Sequence, residues 1–237
     1  MSDGRFYEFD NDPRKYVSVT TFLGIIGKQQ YLMPWSAKME RELIRKLAEQ
    51  GKSLQDILEY LEPKQPYGYQ HYNEVASEFG NKIHKAIDYT LKDLKLPKLT
   101  KKERKVYDKW REWWTAKNFE LLGAEQVVQC EEHGYAGTLD ALVITEGGKG
   151  EKLIIDWKTG KNHYDEHDLQ NLAYQYALPE VAGKNRPDGG LLVYIRPDKE
   201  IDDSHKINKV DVANFQPVLD ALGLWRWANK KKWERNA

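Results

Sequence analysis

The sequence predicts an α/β fold, in which a mixed β-sheet flanked by helices follows a helical N-terminal region. Three observations predict it: residues 1–120 have a mainly helical pattern, residues 121–210 carry the strand patterns around one helix, and residues 211–237 read as a C-terminal helix. With 40% hydrophobic and 12% aromatic residues, the chain can bury a core. We therefore expect a single domain over residues 1–237.

Apolar spacing and capping residues place the helices of the N-terminal region. Y-V-S-V-T-T-F-L-G predicts a short helix capped by Ser18 or Thr20. A second helix is predicted from Pro34 to Gly51, because proline suits a helix start and glycine a helix end. S-L-Q-D-I-L-E-Y-L predicts a third, residues 73–94 a long fourth, and the segment after Pro97 a fifth.

The hydrophobic period then changes to that of strands. A-E-Q-V-V-Q-C-E-E-H, G-T-L-D-A-L-V-I-T and K-L-I-I-D-W-K predict three strands, and G-G-K-G predicts a hairpin turn between the last two. D-E-H-D-L-Q-N-L-A-Y-Q-Y-A-L predicts a helix, and G-G-L-L-V-Y-I-R and K-I-N-K-V-D-V predict further strands. A helix from about Val212 to Glu234 closes the chain.

Composition excludes several classes of protein. The 37 basic and 37 acidic residues balance, so nucleic-acid binding would need a local basic face. The single cysteine, Cys130, excludes an internal disulfide and the usual iron–sulfur cluster of four cysteines. The N-terminus has no apolar signal core and no run of 18 apolar residues occurs. We therefore expect a cytoplasmic protein without a membrane partner.

Three charged residues lie on two neighbouring predicted strands. Asp140 lies within G-T-L-D-A-L-V-I and Asp156 ends L-I-I-D, and a tight hairpin would bring the two carboxylates side by side. Lys158 comes two residues after Asp156, so both side chains project from one face of the strand. Two nearby carboxylates repel unless a positive charge lies between them, and Mg²⁺ is a natural partner of such oxygen ligands. The alternative is a surface ion pair between Asp156 and Lys158.

Four motifs in this order resemble the PD-(D/E)XK nuclease superfamily. They are F-G-N-K-I-H, G-T-L-D, L-I-I-D-W-K-T-G and D-L-Q-N-L-A-Y, and the resemblance runs from about Tyr16 to Leu178. The RecB-like and phage-exonuclease-like branch is the most similar, and S-V-T-T-F-L-G-I-I-G-K and M-P-W-S-A-K resemble the opening of such exonucleases. The second acid, Asp156, stands where many relatives have glutamate. The resemblance implies a restriction-endonuclease-like core.

The resemblance also implies a role for each residue of these motifs. Asp140 and Asp156 would be metal ligands, with the backbone carbonyl of Trp157 as a third oxygen. His84 would complete the metal shell or orient a metal-bound water. Lys158 would be the catalytic lysine, which supports the attacking water or the charge that develops on the phosphate.

Two residues of the next helix and one glutamate complete the candidate site. Gln170 and Tyr174 match a Q-x-x-x-Y motif and share a helix face, so they could point at the lysine or at the DNA strand. Glu125 lies on the preceding strand, where relatives often carry a glutamate. The alternatives are an ordinary hydrogen-bonded histidine at His84 and a core residue at Tyr174. The remaining histidines match no motif and are expected on the surface or in loops: His71, His133, His163, His167 and His205.

The predicted DNA contacts carry hydroxyl or basic side chains. S-V-T-T offers hydroxyls and amides at a helix start, and the helix after Pro97 is locally basic, which suits phosphates. These residues are Ser18, Thr20, Thr21, Lys105, Lys109 and Arg111.

Tryptophans in the basic helix have a second possible use. Trp110, Trp113 and Trp114 recur at helical spacing, which is typical first of a core stripe and second of a platform for base stacking. Trp157 lies between Asp156 and Lys158 in the strand, so it faces the other way and is expected to pack in the core.

The sequence therefore predicts a metal-dependent DNA nuclease that uses Mg²⁺ or Mn²⁺. The resemblance implies an exonuclease in DNA recombination, repair or phage DNA processing, with DNA ends and a recombination protein as partners; if phage-encoded, it would act in the host cytoplasm. The alternative is a non-catalytic DNA-end-binding module on the same fold, because a fold does not guarantee chemistry. An iron–sulfur nuclease is excluded by the single cysteine.

Overall fold

A computed structural model describes residues 5–26, 29–61, 68–178 and 186–233. The described residues form two compact units, one within residues 27–81 and the other from the rest of the chain. That the chain works as a single domain stays a prediction.

One mixed sheet dominates the larger unit. Its seven strands among the described residues are β1 (Phe6–Phe9), β2 (Asp12–Ser18), β3 (Glu120–Cys130), β4 (Tyr135–Ile144), β5 (Lys152–Lys158), β6 (Gly189–Tyr194) and β7 (Asp202–Asn208). The order is β1-β2-β4-β5-β6-β7, and β3 also pairs with β4. The β2–β4 and β5–β6 pairs are parallel and the others antiparallel. The predicted α/β fold with a mixed sheet is confirmed.

Helices flank the sheet and make up most of the smaller unit. They are α1 (Val19–Leu23), α2 (Gln29–Glu49), α3 (Leu54–Tyr60), α4 (Gly68–Leu91), α5 (Lys101–Lys117), α6 (Thr145–Gly148), α7 (Asp165–Ala177), α8 (Val212–Ala228) and α9 (Lys230–Trp233). Reciprocal side-chain and backbone hydrogen bonds close the starts of α3, α5 and α8. No helix in the described segments is long and apolar enough to cross a membrane.

Two features of the N-terminal region differ from the prediction. Helix α2 begins at Gln29, so the predicted start at Pro34 was wrong; Pro34 lies inside this 21-residue helix, where it removes only one backbone hydrogen bond. Strands β1 and β2 form a hairpin that the helical reading of residues 1–120 missed. Val17 and Ser18 of this hairpin also pair in parallel with β4, a contact between distant parts of the chain.

Helix α5 packs beneath β5 through an aromatic cluster. The ring of Trp157 lies 5.9 Å from Trp110, 5.9 Å from Trp113 and 6.0 Å from Trp114, measured between centroids. Trp110 is fully buried and the other two helix tryptophans are half-buried. The tryptophans therefore form part of the core, and the predicted packing role of Trp157 is confirmed.

Helix α7 packs on the sheet through a buried amide and a glycine. The Asn171 side chain donates to the carbonyl oxygen of Ile154 at 3.3 Å and accepts from Gln175 at 3.0 Å. A β-carbon at Gly190, which pairs with Ile154 across β5 and β6, would collide with the Asn171 amide. Glycine at this position therefore allows the close approach of α7 to the sheet.

We predict that Gly190→Ala lowers the free energy of unfolding by about 1–3 kcal/mol, because the new methyl group displaces Asn171. Gly223→Ala is the matched control, since a β-carbon at Gly223 in α8 meets nothing within 4 Å. It should leave stability unchanged or raise it by about 0.5–1 kcal/mol. Urea unfolding followed by circular dichroism measures both; equal midpoints for the two variants would contradict the packing described.

Candidate active site

Two carboxylates lie close together where the pairing of the antiparallel strands β4 and β5 ends. The last pair of their register is Ala141–Ile155, and Asp140 and Asp156 are the next residue of each strand. Asp140 accepts a hydrogen bond at Oδ2 from the backbone N–H of Trp157, at 2.7 Å. Asp156 is 4% exposed, because the apolar strand before it is buried in the sheet. The hairpin thus holds both acids rigidly near the end of β5.

A lysine and a glutamine complete one side of the site. Lys158 Nζ lies 2.5 Å from Asp156 Oδ2, as expected for side chains two apart on a strand. The same ammonium donates to Gln170 Oε1 at 3.0 Å, and Gln170 Nε2 donates to the Tyr174 hydroxyl at 2.9 Å. The structure therefore joins the L-I-I-D-W-K strand to the Q-x-x-x-Y helix through hydrogen bonds.

A histidine and a glutamate complete the other side. His84 Nδ1 on α4 lies 3.3 Å from Asp140 Oδ1. One ligand atom each of His84, Glu125 and Asp140 lie within 4.8 Å of one another. Glu125 has a φ of 49°, a left-handed backbone conformation that costs a non-glycine residue about 1–2 kcal/mol. Glu125 lies where β3 passes Asp140, between the register pairs Ala124–Ala141 and Gln126–Leu139.

Burial and mutual charge set the ionisation of these groups. Burial raises the pKa of Asp156, and the neighbouring charge of Asp140 raises it further, against the pull of Lys158. The pKa of Asp140 is lowered, because the charge and hydrogen bond of His84 outweigh burial. Burial disfavours a charged His84, but Asp140 outweighs it and raises the pKa of His84 to about 9. Burial and Asp140 raise the pKa of Glu125.

These residues fit a divalent cation. His84, Glu125 and Asp140 gather their donor atoms in one place, and carboxylate oxygens suit Mg²⁺ and Mn²⁺. Asp156 lies opposite Asp140 but is paired with Lys158, so binding a cation through both acids requires this ion pair to loosen. The ligand role predicted for the Trp157 carbonyl stays a prediction, as does the choice of metal.

The residues predicted to bind DNA lie apart from this cluster or form contacts within the protein. Lys109 Nζ donates to the backbone oxygen of Lys199 at 2.7 Å, and Arg111 lies 3.8 Å from Asp108. Lys105 is exposed on the same helix. Their role in binding DNA stays a prediction.

The S-V-T-T segment is a hydrogen-bonded corner beside β4. Ser18 is buried and bonds to the exposed Thr20 at 2.9 Å between hydroxyl oxygens, and Thr21 Oγ1 accepts from the backbone of Arg5 at 3.1 Å. Ser18 pairs with Ala136 four residues before Asp140 on β4. The corner therefore lies beside β4, the strand that carries Asp140, and its contact with DNA stays a prediction.

Sequence reasoning missed a group of histidines beside the site. His163, His167 and His205 surround Tyr194 on β6, although they match no motif. Only the pairing of β6 with β5 and β7, formed in three dimensions, reveals the group. His133 lies 3.6 Å from Glu132 elsewhere, and His71 is outside the described side chains.

Comparison with known proteins identifies a family. A sequence model of the PD-(D/E)XK nuclease superfamily matches residues 41–235. A solved structure described as "Crystal structure of SSO0001" shares 16% identical residues with a TM-score of 0.42, covering 94% of this chain and 78% of that chain. Among curated proteins, none matches.

We predict that, in the metal-free protein, the His84 imidazole titrates near pH 9 and that Asp140→Asn moves this midpoint down toward the ordinary value of about 6.5. The direction follows because burial lowers the pKa of His84, and the charge of Asp140 is the main opposing influence. NMR titration of the imidazole measures both midpoints.

Asp88→Asn is the matched control for this titration. Asp88 lies one turn further along α4 and its carboxylate is paired with Lys92 at 2.6 Å, so its loss should change the His84 midpoint little. An unchanged midpoint in Asp140→Asn would contradict the electrostatic account of the site.

Proposed function

The chain belongs to the PD-(D/E)XK nuclease superfamily, and we propose that it is a metal-dependent deoxyribonuclease with Asp140, Asp156 and Lys158 at its active centre. The superfamily suggests nuclease activity and generally uses divalent metals. The observation that carries the proposal is the convergence of both acids and the lysine at one point, with His84 on the adjoining helix. A surface ion pair would not be buried or held by a glutamine from another element.

The reaction is hydrolysis of a phosphodiester. A water oxygen attacks the phosphorus, and the bond from phosphorus to the leaving deoxyribose oxygen breaks. A bound divalent cation would supply positive charge to the phosphate oxygens and lower the pKa of a bound water. Asp140 and Asp156, with His84 and Glu125, would hold this cation.

Lys158 would act on the water and the phosphate. Its ammonium lies between Asp156 and Gln170, so it is fixed at the edge of the carboxylate pair. From there it can orient the attacking water and stabilise negative charge on the phosphate oxygens. Gln170 offers its amide oxygen to the ammonium, which limits the freedom of a long flexible side chain.

Further details of the activity are proposed from the sequence motifs. We place the chain in the RecB-like and phage-exonuclease-like branch and propose exonuclease action on DNA ends, in recombination, repair or phage DNA processing. The support is the order of the four motifs and the S-V-T-T corner next to β4. Ser18, Thr20, Thr21, Lys105, Lys109 and Arg111 would contact phosphates. A recombination partner and a cytoplasmic location stay predictions.

We predict that the purified protein cleaves end-labelled DNA in Mg²⁺ or Mn²⁺, and that EDTA abolishes cleavage. Asp156→Ala should lower the rate by at least about 10²-fold, because it removes a carboxylate that holds the cation. Product ladders from single- and double-stranded substrates, resolved on denaturing gels, measure the rate and the polarity. DNA binding without cleavage in any metal would favour a non-catalytic end-binding module instead.

We predict that Lys158→Ala lowers kcat by about 10²–10³-fold while leaving the Kd for DNA within about twofold, because the lysine acts on the developing charge. Lys149→Ala, an exposed lysine in the turn before β5, is the control and should leave both quantities unchanged. Fluorescence anisotropy in Ca²⁺ measures the Kd. Equal losses of binding and cleavage in Lys158→Ala would contradict the role assigned to Lys158.

A further inference from the structure

The buried hydroxyl of Tyr194 makes hydrogen bonds to a loop and to a helix beside the catalytic lysine. Tyr194 ends β6 and is 1% exposed. Its hydroxyl lies 3.0 Å from Nδ1 of His163, in the loop after β5, and 3.0 Å from Nδ1 of His167, in the first turn of α7. The phenol therefore fastens the loop and the start of the helix to the sheet.

His163 also contacts an acidic residue of α7. Its Nε2 lies 3.2 Å from Asp168 Oδ1, within ion-pair distance. Its Nδ1 makes the hydrogen bond with the Tyr194 hydroxyl, which also bonds to Nδ1 of His167. Asp168, His163, Tyr194 and His167 thus form one continuous set of polar contacts.

Strand β7 also contacts His163, the histidine in the loop after β5. The ring of His205 stacks on that of His163, with centroids 4.6 Å apart and an interplanar angle of 11°. His205 Nε2 also lies 3.8 Å from Asp202, which pairs with Arg196 at 3.1 Å. The position of His163 is therefore fixed from the helix, the sheet and the neighbouring strand.

The residue before α7 makes no side-chain capping hydrogen bond to the helix start. Tyr164 precedes the helix, and tyrosine lacks the short side-chain oxygen of the Ser, Thr, Asp and Asn residues that cap helices well. The buried Asn171 anchors the helix one turn later. Between the two anchors, His167 and Asn171, lies Gln170, whose amide oxygen accepts the hydrogen bond from Lys158.

Tyr194 is also the direct neighbour of Lys158. The two residues pair across the parallel strands β5 and β6 and project from the same face of the sheet. From this position the Tyr194 hydroxyl reaches Gln170 through His167, which lies three residues earlier on the same helix face.

We propose that Tyr194, through His163 and His167, is a positioning residue for the catalytic lysine. By fixing the first turn of α7, it keeps the Gln170 amide oxygen on the Lys158 ammonium, so that the lysine stays at the edge of the carboxylate pair. The effect of Tyr194 on catalysis rests on the proposed nuclease function, whereas its effect on the position of Lys158 does not.

The first experiment measures the lysine itself. In the metal-free full-length protein, the rate at which an amine-reactive acetylating reagent modifies Lys158 is followed by peptide mass spectrometry. Tyr194→Phe removes only the hydroxyl and should raise this rate severalfold, as Gln170→Ala should. Tyr135→Phe is the matched control, since it removes a buried phenol bond to the other end of α7, at the Ala173 carbonyl, and should leave the rate unchanged.

The second experiment measures catalysis. Tyr194→Phe should lower kcat about tenfold with KM for DNA unchanged, because a displaced catalytic group costs rate rather than binding. The double variant with Gln170→Ala should be no slower than Gln170→Ala alone, because Tyr194 acts through Gln170. Additive losses, or a Lys158 modification rate in Tyr194→Phe equal to that of the wild type, would overturn the inference. An inactive wild type would count against the nuclease function, and the modification rates would still decide this inference.

Discussion

The repulsion between two carboxylates on neighbouring strands is the constraint on which the rest of the site depends. Asp140 and Asp156 follow the last pair of the β4–β5 register, and the charge of Asp140 disfavours the ionisation of Asp156. The protein supplies that charge from two sides, with His84 against Asp140 and Lys158 against Asp156. Each carboxylate thus has a positively charged side chain beside it, and a bound divalent metal would supply part of that positive charge instead.

The layers around the sheet keep this arrangement rigid. Alternation along β5 sends Asp156 and Lys158 to one face and Trp157 to the other, where the tryptophans of α5 enclose it. On the face of the acids, α7 lies close because Gly190 leaves room for Asn171. A helix at that distance can reach the lysine with Gln170. The close packing of α7 on the sheet at Gly190 therefore also brings Gln170 to Lys158.

The sequence predicted those parts of the site whose residues lie close together in the chain. The hairpin between β4 and β5 and the i, i+4 pair Gln170 and Tyr174 follow from period and turn residues, and the structure has both. The β1–β2 hairpin was not predicted, although its own pairing is local, and the parallel pairing of β2 with β4, more than a hundred residues away, has no local pattern. The left-handed Glu125 and the histidines around Tyr194 have no local pattern. The basic helix α5 shows the converse, since composition could not reveal that Lys109 donates a hydrogen bond to the backbone of Lys199.

Anomalous diffraction from crystals grown with Mn²⁺ tests the central claim most directly. The account predicts a peak bound by oxygens of both Asp140 and Asp156, next to His84 and Glu125, with Lys158 moved away from Asp156 but still held by Gln170. A structure without a peak between the two acids at saturating Mn²⁺, and with the Asp156–Lys158 pair intact, would contradict it.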